Sequence, residues 1–271
     1  RVRHTENFCP LQGIHSMKAR NLLISAAMAA AVTTPAAAAE VAGGDLSANV
    51  GVVTNYLFRG ITQTDDKPAV QGGVDWAHSS GFYVGTWLSN VDFEGEVTDG
   101  QGRTGTFDAN YELDLYAGYD FDLGDDWSLG LNGIYYAYPD SDVTGDVDSD
   151  DAEDIDYAEV GVSGGWRFLS AGVQYTVWGD VDDGAFTDGD IHYSAGAEFD
   201  IGNDFGLALN VGHYDFDAAD EYTHWHIAVS KDAGDFGSFS FNYEQTDGDE
   251  DDDVATDDDP MLWLGWGITF E

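Results

Sequence analysis

Apolar and polar residues alternate along residues 46–270, in segments of about ten residues. Successive side chains of a β-strand point to opposite faces, so this alternation predicts strands with one apolar and one polar face. In the last segment, Leu262 and Leu264 share one face, and Trp263 and Gly265 share the other. We predict about twelve strands, at residues 46–58, 69–78, 81–91, 110–122, 126–138, 155–168, 170–178, 190–201, 204–215, 222–232, 235–245 and 260–270.

The connections between these segments alternate between short and long. The short turns fall at residues 79–80, 123–125, 169–170, 202–203 and 233–234, and the long loops at 59–68, 92–109, 139–154, 179–189, 216–221 and 246–259. Outer-membrane barrels have an even strand number, short periplasmic turns and long extracellular loops. The sequence therefore predicts an all-β fold, a single antiparallel transmembrane β-barrel. A soluble β-sandwich is the alternative, but it would not sort its loop lengths in this way.

The N-terminal part divides into two short segments ahead of the predicted barrel. Residues 17–39 have a basic start, an apolar Ala-rich core and a final run of small residues, which indicates a signal peptide. The apolar run is too short for a convincing membrane anchor. Residues 1–16 precede Met17, are interpreted as a mistranslated upstream segment, and carry the one cysteine, Cys9. The barrel domain, residues 40–271, is therefore expected to have no disulfide.

The chain is strongly acidic, with 52 Asp and Glu residues, 9 Lys and Arg residues and a formal net charge of -43. Such a charge repels nucleic acid and attracts cations, so nucleic acid is excluded as a partner. The acids cluster in the predicted loops, at residues 140–156, 180–190 and 247–259. A solvated acidic surface in a halophilic or marine source would explain this excess.

Aromatic residues near the strand ends predict two interfacial girdles. They are Tyr56, Phe58, Trp76, Phe82, Trp127, Tyr135, Trp166, Phe199 and Phe236. Other aromatic residues on the polar faces would narrow the lumen of a twelve-stranded barrel. These are Trp87, Tyr116, Tyr136, Trp178 and Trp263.

Several blocks between residues 46 and 139 resemble the TorF family of porins. The blocks are NYLFRG at 55–60, TQT at 62–64, PAVQGG at 68–73, SGFYVGTW at 80–87, YELDLYAGY at 111–119 and YYAYP at 135–139. The resemblance implies an outer-membrane barrel that is described as a channel by analogy, with no defined substrate and no catalytic residues. Such barrels usually end on an aromatic residue that the barrel assembly machinery reads, whereas here Phe270 is followed by Glu271.

Alternation places six carboxylates on the inward face, where rings of acids favour cations over anions. These candidate selectivity residues are Asp75, Glu112, Asp114, Glu159, Glu198 and Glu244. In the alternative interpretation they are only the polar side of the pleat and pair with Arg167 or with Tyr and Asn side chains. Arg59 lies at the predicted mouth in the first loop, where we expect ion pairs with carboxylates to fix that loop. A direct role of Arg59 in gating is the second interpretation.

One acidic loop approaches the ligand spacing of a calcium site. Its candidate residues are Asp140, Asp142, Thr144, Gly145, Asp148 and Asp151. Position twelve is Asp rather than Glu, so weak, diffuse Ca²⁺ binding is expected and no other cofactor. His224 and His226 share a strand face and could ligate zinc, although polar lumen residues are the more common case. No serine pairs with a histidine on the lipid face, so we predict no enzyme activity.

These observations predict a passive channel in the bacterial outer membrane, for small solutes or ions and with a preference for cations. Its expected partners are outer-membrane lipid, lipopolysaccharide, the barrel assembly machinery and the diffusing solutes. The alternative is a closed structural or surface barrel whose acidic loops bind cations or contact the cell exterior. Inward aromatic residues at mid-height would favour this alternative.

Overall fold

The computed structural model describes residues 39–98, 103–124, 126–141, 144–145, 155–180, 185–217, 219–248 and 258–270. The predicted upstream segment 1–16 and all but the last residue of the predicted signal peptide 17–39 lie outside these ranges. Among the described residues, we find no helix with the length and apolar character needed to cross a membrane.

Twelve long strands form the main sheet, and we number them in chain order. They are β1 Gly44–Val53, β2 Ala69–His78, β3 Phe82–Thr98, β4 Thr104–Gly124, β5 Trp127–Ala137, β6 Tyr157–Trp166, β7 Leu169–Gly179, β8 Ile191–Gly202, β9 Phe205–Asp215, β10 Tyr222–Asp232, β11 Ser238–Thr246 and β12 Met261–Phe270. Short strands at Ala39–Val41 and Thr144–Gly145 extend the sheet, and Gly234–Phe236 forms one 3₁₀ turn.

Each of the twelve strands pairs antiparallel with its sequence neighbours, and β12 pairs with β1. In this last pairing, Phe270 opposes Ala48 and Gly265 opposes Val53. The sheet is therefore a closed barrel, which confirms the predicted fold class and strand number. We call the end with the short connections the turn end and the opposite end, which carries residues 54–68, the loop end.

The prediction of a loop at residues 92–109 is wrong for most of that range. Residues 93–98 of β3 pair with residues 104–109 of β4, beyond a register shift between Asn90 and Phe93. This hairpin continues the sheet past the level at which the neighbouring strands end. Pairing there satisfies backbone N–H and C=O groups that a loop would leave to water.

Large apolar side chains cover the outside of the barrel. Val70, Leu88, Leu115 and Leu264 are each about half exposed, at 61%, 49%, 50% and 54%. Aromatic rings pair at the turn end, as between Trp127 and Trp166 with centroids 5.9 Å apart. An exposed apolar surface of this extent is typical of a surface that contacts lipid or another protein.

A β-bulge changes the direction of Trp178, which the sequence placed in the lumen. Residues of β6 and β7 lose register at Ala158 and Glu159, so that Thr176 opposes Glu159 while Trp178 opposes Ala158. Both Val177 and Trp178 are consequently exposed outside the barrel. Trp178 stacks there on Tyr135, with ring centroids 5.9 Å apart. The bulge adds one residue and so reverses the alternation beyond it.

The two halves of the lumen differ in how tightly they are filled. Near the loop end, inward side chains from many strands are buried, including Trp87, Tyr136, Tyr214 and Trp263. Toward the turn end Tyr83 is buried, but many inward side chains are small, polar and partly exposed. They include Ser128, Ser163, Ser170, Ser194, Asn210, Ser230 and Ser240. The turn-end half is therefore accessible to solvent, and the loop-end half is packed.

Candidate functional site: a loop hairpin inside the lumen

Residues 54–68, which we call the first loop, fold into the lumen through their central part, whereas residues 65–68 stay exposed. Tyr56, Leu57 and Phe58 are buried, with exposures of 3%, 7% and 4%. The prediction that Tyr56 and Phe58 belong to an interfacial girdle is therefore wrong. The physical reason is that β1 ends at Val53, where the chain leaves the sheet and turns inward instead of continuing the strand to residue 58.

A tight hairpin forms the tip of the first loop. Leu57–Phe58 pairs with Ile61–Thr62, and the two central residues, Arg59 and Gly60, have φ angles of 51° and 91°. Positive φ angles at both central residues are typical of a type I′ turn, and glycine adopts the second one without steric strain because it has no Cβ. A Cβ on Gly60 would lie 2.6 Å from Thr246 Cγ2 and 2.8 Å from His224 Cβ. The tip therefore fits closely against the barrel wall.

Side chains within the first loop hold its base together. Asn55 donates from Nδ2 to Asp66 Oδ1 over 2.6 Å and accepts at Oδ1 from Thr62 Oγ1 over 2.7 Å. Thr64 Oγ1 donates to the Lys67 carbonyl over 2.6 Å. Lys67 lies outside and forms an exposed pair with Asp92 at 2.6 Å. Hydrogen bonds within the first loop thus order it, in addition to its contacts with the barrel wall.

Arg59 carries the central contact of the site. Its Nη1 and Nη2 donate to Oε1 and Oε2 of Glu159 over 2.7 and 2.6 Å, a two-point ion pair. Arg59 and Glu159 side chains are only 2% and 1% exposed. Arg59 Nη1 also donates to Tyr214 Oη over 2.8 Å, and Tyr222 Oη donates to the Arg59 carbonyl over 2.9 Å. Arg59 therefore lies inside the lumen rather than at an exposed mouth.

The barrel wall supplies the rest of the Glu159 coordination. Tyr136 Oη donates to Glu159 Oε2 and Tyr214 Oη donates to Oε1, each over 3.2 Å. Each carboxylate oxygen thus receives one donor from Arg59 and one from the wall. We call Tyr136, Glu159 and Tyr214 the Glu159 pocket. Burial opposes the charge on Arg59, but the Glu159 carboxylate outweighs it and holds the pKa of the guanidinium well above its ordinary value.

Glu112 and Asp114 lie beside the base of the first loop and are buried at 2% and 5% exposure. Tyr56 Oη donates to Glu112 Oε1 over 3.4 Å. Burial, and then the Glu112 and Asp114 carboxylates, raise the pKa of Tyr56 well above its ordinary value. Glu112 Oε2 and Asp114 Oδ1 have no hydrogen-bond partner among the described residues. The two carboxyl groups therefore face the buried side chains of the loop-end half of the lumen, which we call the packed layer, rather than open water.

The other predicted lumen acids occupy different levels. Asp75 lies in the turn-end half, where it accepts from Tyr116 Oη and from Asn49 Nδ2. Glu244 is buried at 5% exposure, with Oε1 3.9 Å from His224 Nδ1. Glu198 is exposed near the turn end. The structure thus brings Glu112, Asp114, Glu159 and Glu244 into one packed layer and leaves Asp75 and Glu198 outside it.

Arg167 does not reach any lumen acid in this structure. It pairs with Asp126 at 2.9 Å in an exposed turn. The lumen acids meet tyrosine hydroxyls, an asparagine amide and Arg59 instead. Among the described residues, the single Lys or Arg side chain in this packed layer therefore comes from the first loop.

The predicted calcium loop is described only in part. Asp140 accepts from the Asn110 backbone N–H and side-chain amide over 3.1–3.2 Å, and Thr144 pairs with Thr106 through the backbone. Asp142, Asp148 and Asp151 lie outside the described residues. Within the described part of the chain, no three His, Cys, Asp or Glu side chains are placed to hold a metal ion.

Sequence reasoning missed the histidine pair and most of the residues around Arg59. His192 Nε2 and His224 Nε2 are 3.0 Å apart, and both rings are buried. Tyr214 and Tyr222 come from β9 and β10, far from Arg59 along the chain. One available signal was the NYLFRG segment, because an apolar run in a loop needs cover and an Arg-Gly pair suits a tight turn.

Comparison with known proteins gives one family and a set of solved barrels. The family model described as "Bacterial protein of unknown function (Gcw_chp)" matches residues 37–260. No curated protein sequence matches significantly. The resemblance to the TorF family stays a prediction.

Three of the similar solved structures show the range of the likeness. A KdgM porin is 7% identical, with 83% of this chain and 98% of that chain covered and a TM-score of 0.48. A NanC porin is 12% identical, with 83% and 99% covered and a TM-score of 0.48. The COG4313 outer membrane channel from Pseudomonas putida F1 is 12% identical, with 88% and 100% covered and a TM-score of 0.44.

Proposed function

We propose that this chain, which belongs to the Gcw_chp family of bacterial proteins of unknown function, is an outer-membrane channel for small solutes or ions that prefers cations. The observation that carries this proposal is the closed barrel with an apolar outside and a polar, acidic inside. Only a closed sheet can satisfy its backbone groups in lipid, and only a lipid surround makes the apolar outer surface favourable.

Cation preference follows from the charges on the lumen wall. Within the described residues, four buried acids, Glu112, Asp114, Glu159 and Glu244, share the packed layer with one Lys or Arg side chain, Arg59, which pairs with Glu159. When the first loop leaves the lumen, Arg59 leaves with it, and the wall that remains is acidic. Rings of carboxylates then attract cations and repel anions.

The packed layer also means that conduction depends on the position of the first loop. With this loop inside, inward side chains at the loop end are buried, while the turn-end half stays accessible to solvent. In this arrangement, the lumen is open to solvent toward the turn end and filled toward the loop end. We therefore assign the structure to a closed or weakly conducting state, in which the first loop is the obstacle.

A closed surface barrel is the second candidate, and the same packed layer favours it. In that case the first loop would be a permanent part of the core, and the acidic loops would meet cations or lipopolysaccharide outside. The two candidates differ in whether removal of the Arg59–Glu159 pair produces conductance.

The test is single-channel recording of the refolded chain in a planar bilayer under a KCl gradient. We expect small or brief steps for the wild type, larger steps for Arg59→Ala, and a reversal potential that favours K⁺. Glu112→Gln with Asp114→Asn should weaken that preference, whereas Asp126→Asn, in an exposed turn, should leave it unchanged. Folded barrels that never conduct, with or without Arg59, would establish the closed surface barrel instead.

A further inference from the structure

The Glu159 pocket has the features of a recognition site for a planar cation. Its carboxylate accepts a two-point pair at 2.6 and 2.7 Å, and it is buried with 1% of its side chain exposed. Two wall hydroxyls, from Tyr136 and Tyr214, donate to the same carboxylate, and Tyr214 Oη also accepts from Arg59 Nη1. Two parallel N–H donors matched to a carboxylate are the recognition geometry of a guanidinium group.

The occupant of this pocket belongs to a loop rather than to the wall. Arg59 is separated from Glu159 by 100 residues and from Tyr214 by 155 residues, and it is presented by a two-residue turn. If the first loop withdraws, Glu159 keeps its two tyrosine donors and loses two charged ones. The carboxylate would then carry its negative charge with two tyrosine donors and no cation, so withdrawal favours a replacement cation that supplies two N–H donors.

We propose that the Glu159 pocket binds guanidinium and amidinium groups of small solutes, and that Arg59 occupies it in this structure as an internal stand-in for such a ligand. A free guanidinium compound then competes with Arg59 and holds the first loop out of the lumen. The consequence for conduction rests on the proposed channel function, whereas binding in the pocket does not.

The shape of the pocket makes the ligand class specific. A guanidinium ion reproduces both N–H donors in one plane and the positive charge. An alkylammonium ion supplies the charge as a point without the fork, and an alkylurea supplies planar N–H donors without the charge. Methylguanidinium, methylammonium and N-methylurea are therefore the matched probes.

Trypsin provides a readout of the position of the first loop. Cleavage after Arg59 needs that residue to leave the lumen, and Lys67 does not interfere because Pro68 follows it. Arg167, exposed in a turn, serves as the internal reference. The ratio of cleavage at Arg59 to cleavage at Arg167 cancels any direct effect of the probes on trypsin.

We expect methylguanidinium to raise this ratio in a saturable way, by about tenfold when its concentration is about ten times its dissociation constant. Methylammonium and N-methylurea at equal concentration should change the ratio far less. An unchanged ratio, or the same rise with all three probes, would overturn the proposal.

A second measurement uses the emptied pocket. In Arg59→Ala, methylguanidinium should raise the melting temperature of the folded barrel, and Arg59→Ala with Glu159→Gln should lose this response. A response that persists in the double variant would contradict binding at Glu159. If planar bilayers show no conductance but these two measurements succeed, the channel function fails and the binding site stands.

Discussion

Glu159→Gln tests the central contact of the lumen most directly. The substitution keeps the side-chain size and one of the two acceptor oxygens that Tyr136 and Tyr214 use, but it leaves the Arg59 guanidinium buried without an opposite charge. Removal of one partner of a buried ion pair costs about 3–5 kcal/mol. Arg59 cannot escape this cost by losing its proton, because its pKa is too high.

The first loop offers a way to relieve that cost, and this sets the expected result. Release of the loop carries Arg59 into water, where its charge is solvated, so the cost of the unpaired charge falls on the docked state alone. A loss of about 3–5 kcal/mol corresponds to a rise of about two to four decades in the ratio of released to docked loop.

The assay is trypsin cleavage at Arg59 relative to Arg167 in refolded barrels, under conditions where reclosing is fast compared with cleavage. Asp92→Asn is the matched control, because it breaks an exposed ion pair of the same loop, between Lys67 and Asp92. Exposed pairs contribute about 0–1 kcal/mol, so this control should change the ratio less than about fivefold. If Glu159→Gln changes the ratio no more than Asp92→Asn does, the ion pair does not hold the loop.

Three further predictions concern the fit of the loop and the wall. Gly60→Ala should release the loop at a cost of about 1–3 kcal/mol, because its Cβ would overlap Thr246 and His224. Gly234→Ala is the control, since Gly234 also has a positive φ but no atom lies within 4 Å of the Cβ position. This control should cost about 1 kcal/mol and leave trypsin cleavage at Arg59 unchanged. Tyr222→Phe should weaken docking of the first loop by about 1–2 kcal/mol in the same assay, because the buried Arg59 carbonyl loses its hydrogen-bond donor. Tyr193→Phe, on the outer face, should have no effect. Equal effects of the two variants would count against the contact between Tyr222 and Arg59. Trp178→Ala should lower the urea midpoint of the barrel in lipid without changing cleavage at Arg59, because Trp178 lies outside; a change in cleavage would place it in the lumen after all.

Alternation was sufficient to predict the barrel but not the position of every side chain. The period of two gives faces reliably where the ladder is regular, as at Glu112 and Asp114 in β4. It fails beyond an inserted residue, which is why Trp178 turned out to face outward. Nothing local distinguishes a bulged residue from a regular one, because the register is set by the partner strand.

The inward fold of the first loop was not predicted from the sequence, for a different reason. Its contacts join Arg59 to residues 100 and 155 positions away, and a periodic pattern carries no information on such pairs. The same aromatic residues, Tyr56 and Phe58, fit an interfacial girdle or a packed interior equally well by composition. Only the end of pairing at Val53 separates the two interpretations.

The origin of the first loop in β1 has a consequence for how the protein assembles. β1 is paired with β12, the last of the twelve strands along the chain, and the loop that fills the lumen begins where β1 ends. The hairpin at Arg59 must therefore find Glu159 before the seam between first and last strands closes, or enter afterwards through the loop end. Contacts of such long sequence separation form slowly, because the closure entropy of the intervening chain opposes them. Barrel closure and lumen filling are thus kinetically coupled through a single strand, and a weakened Arg59 contact should alter the folding rate as well as the final state.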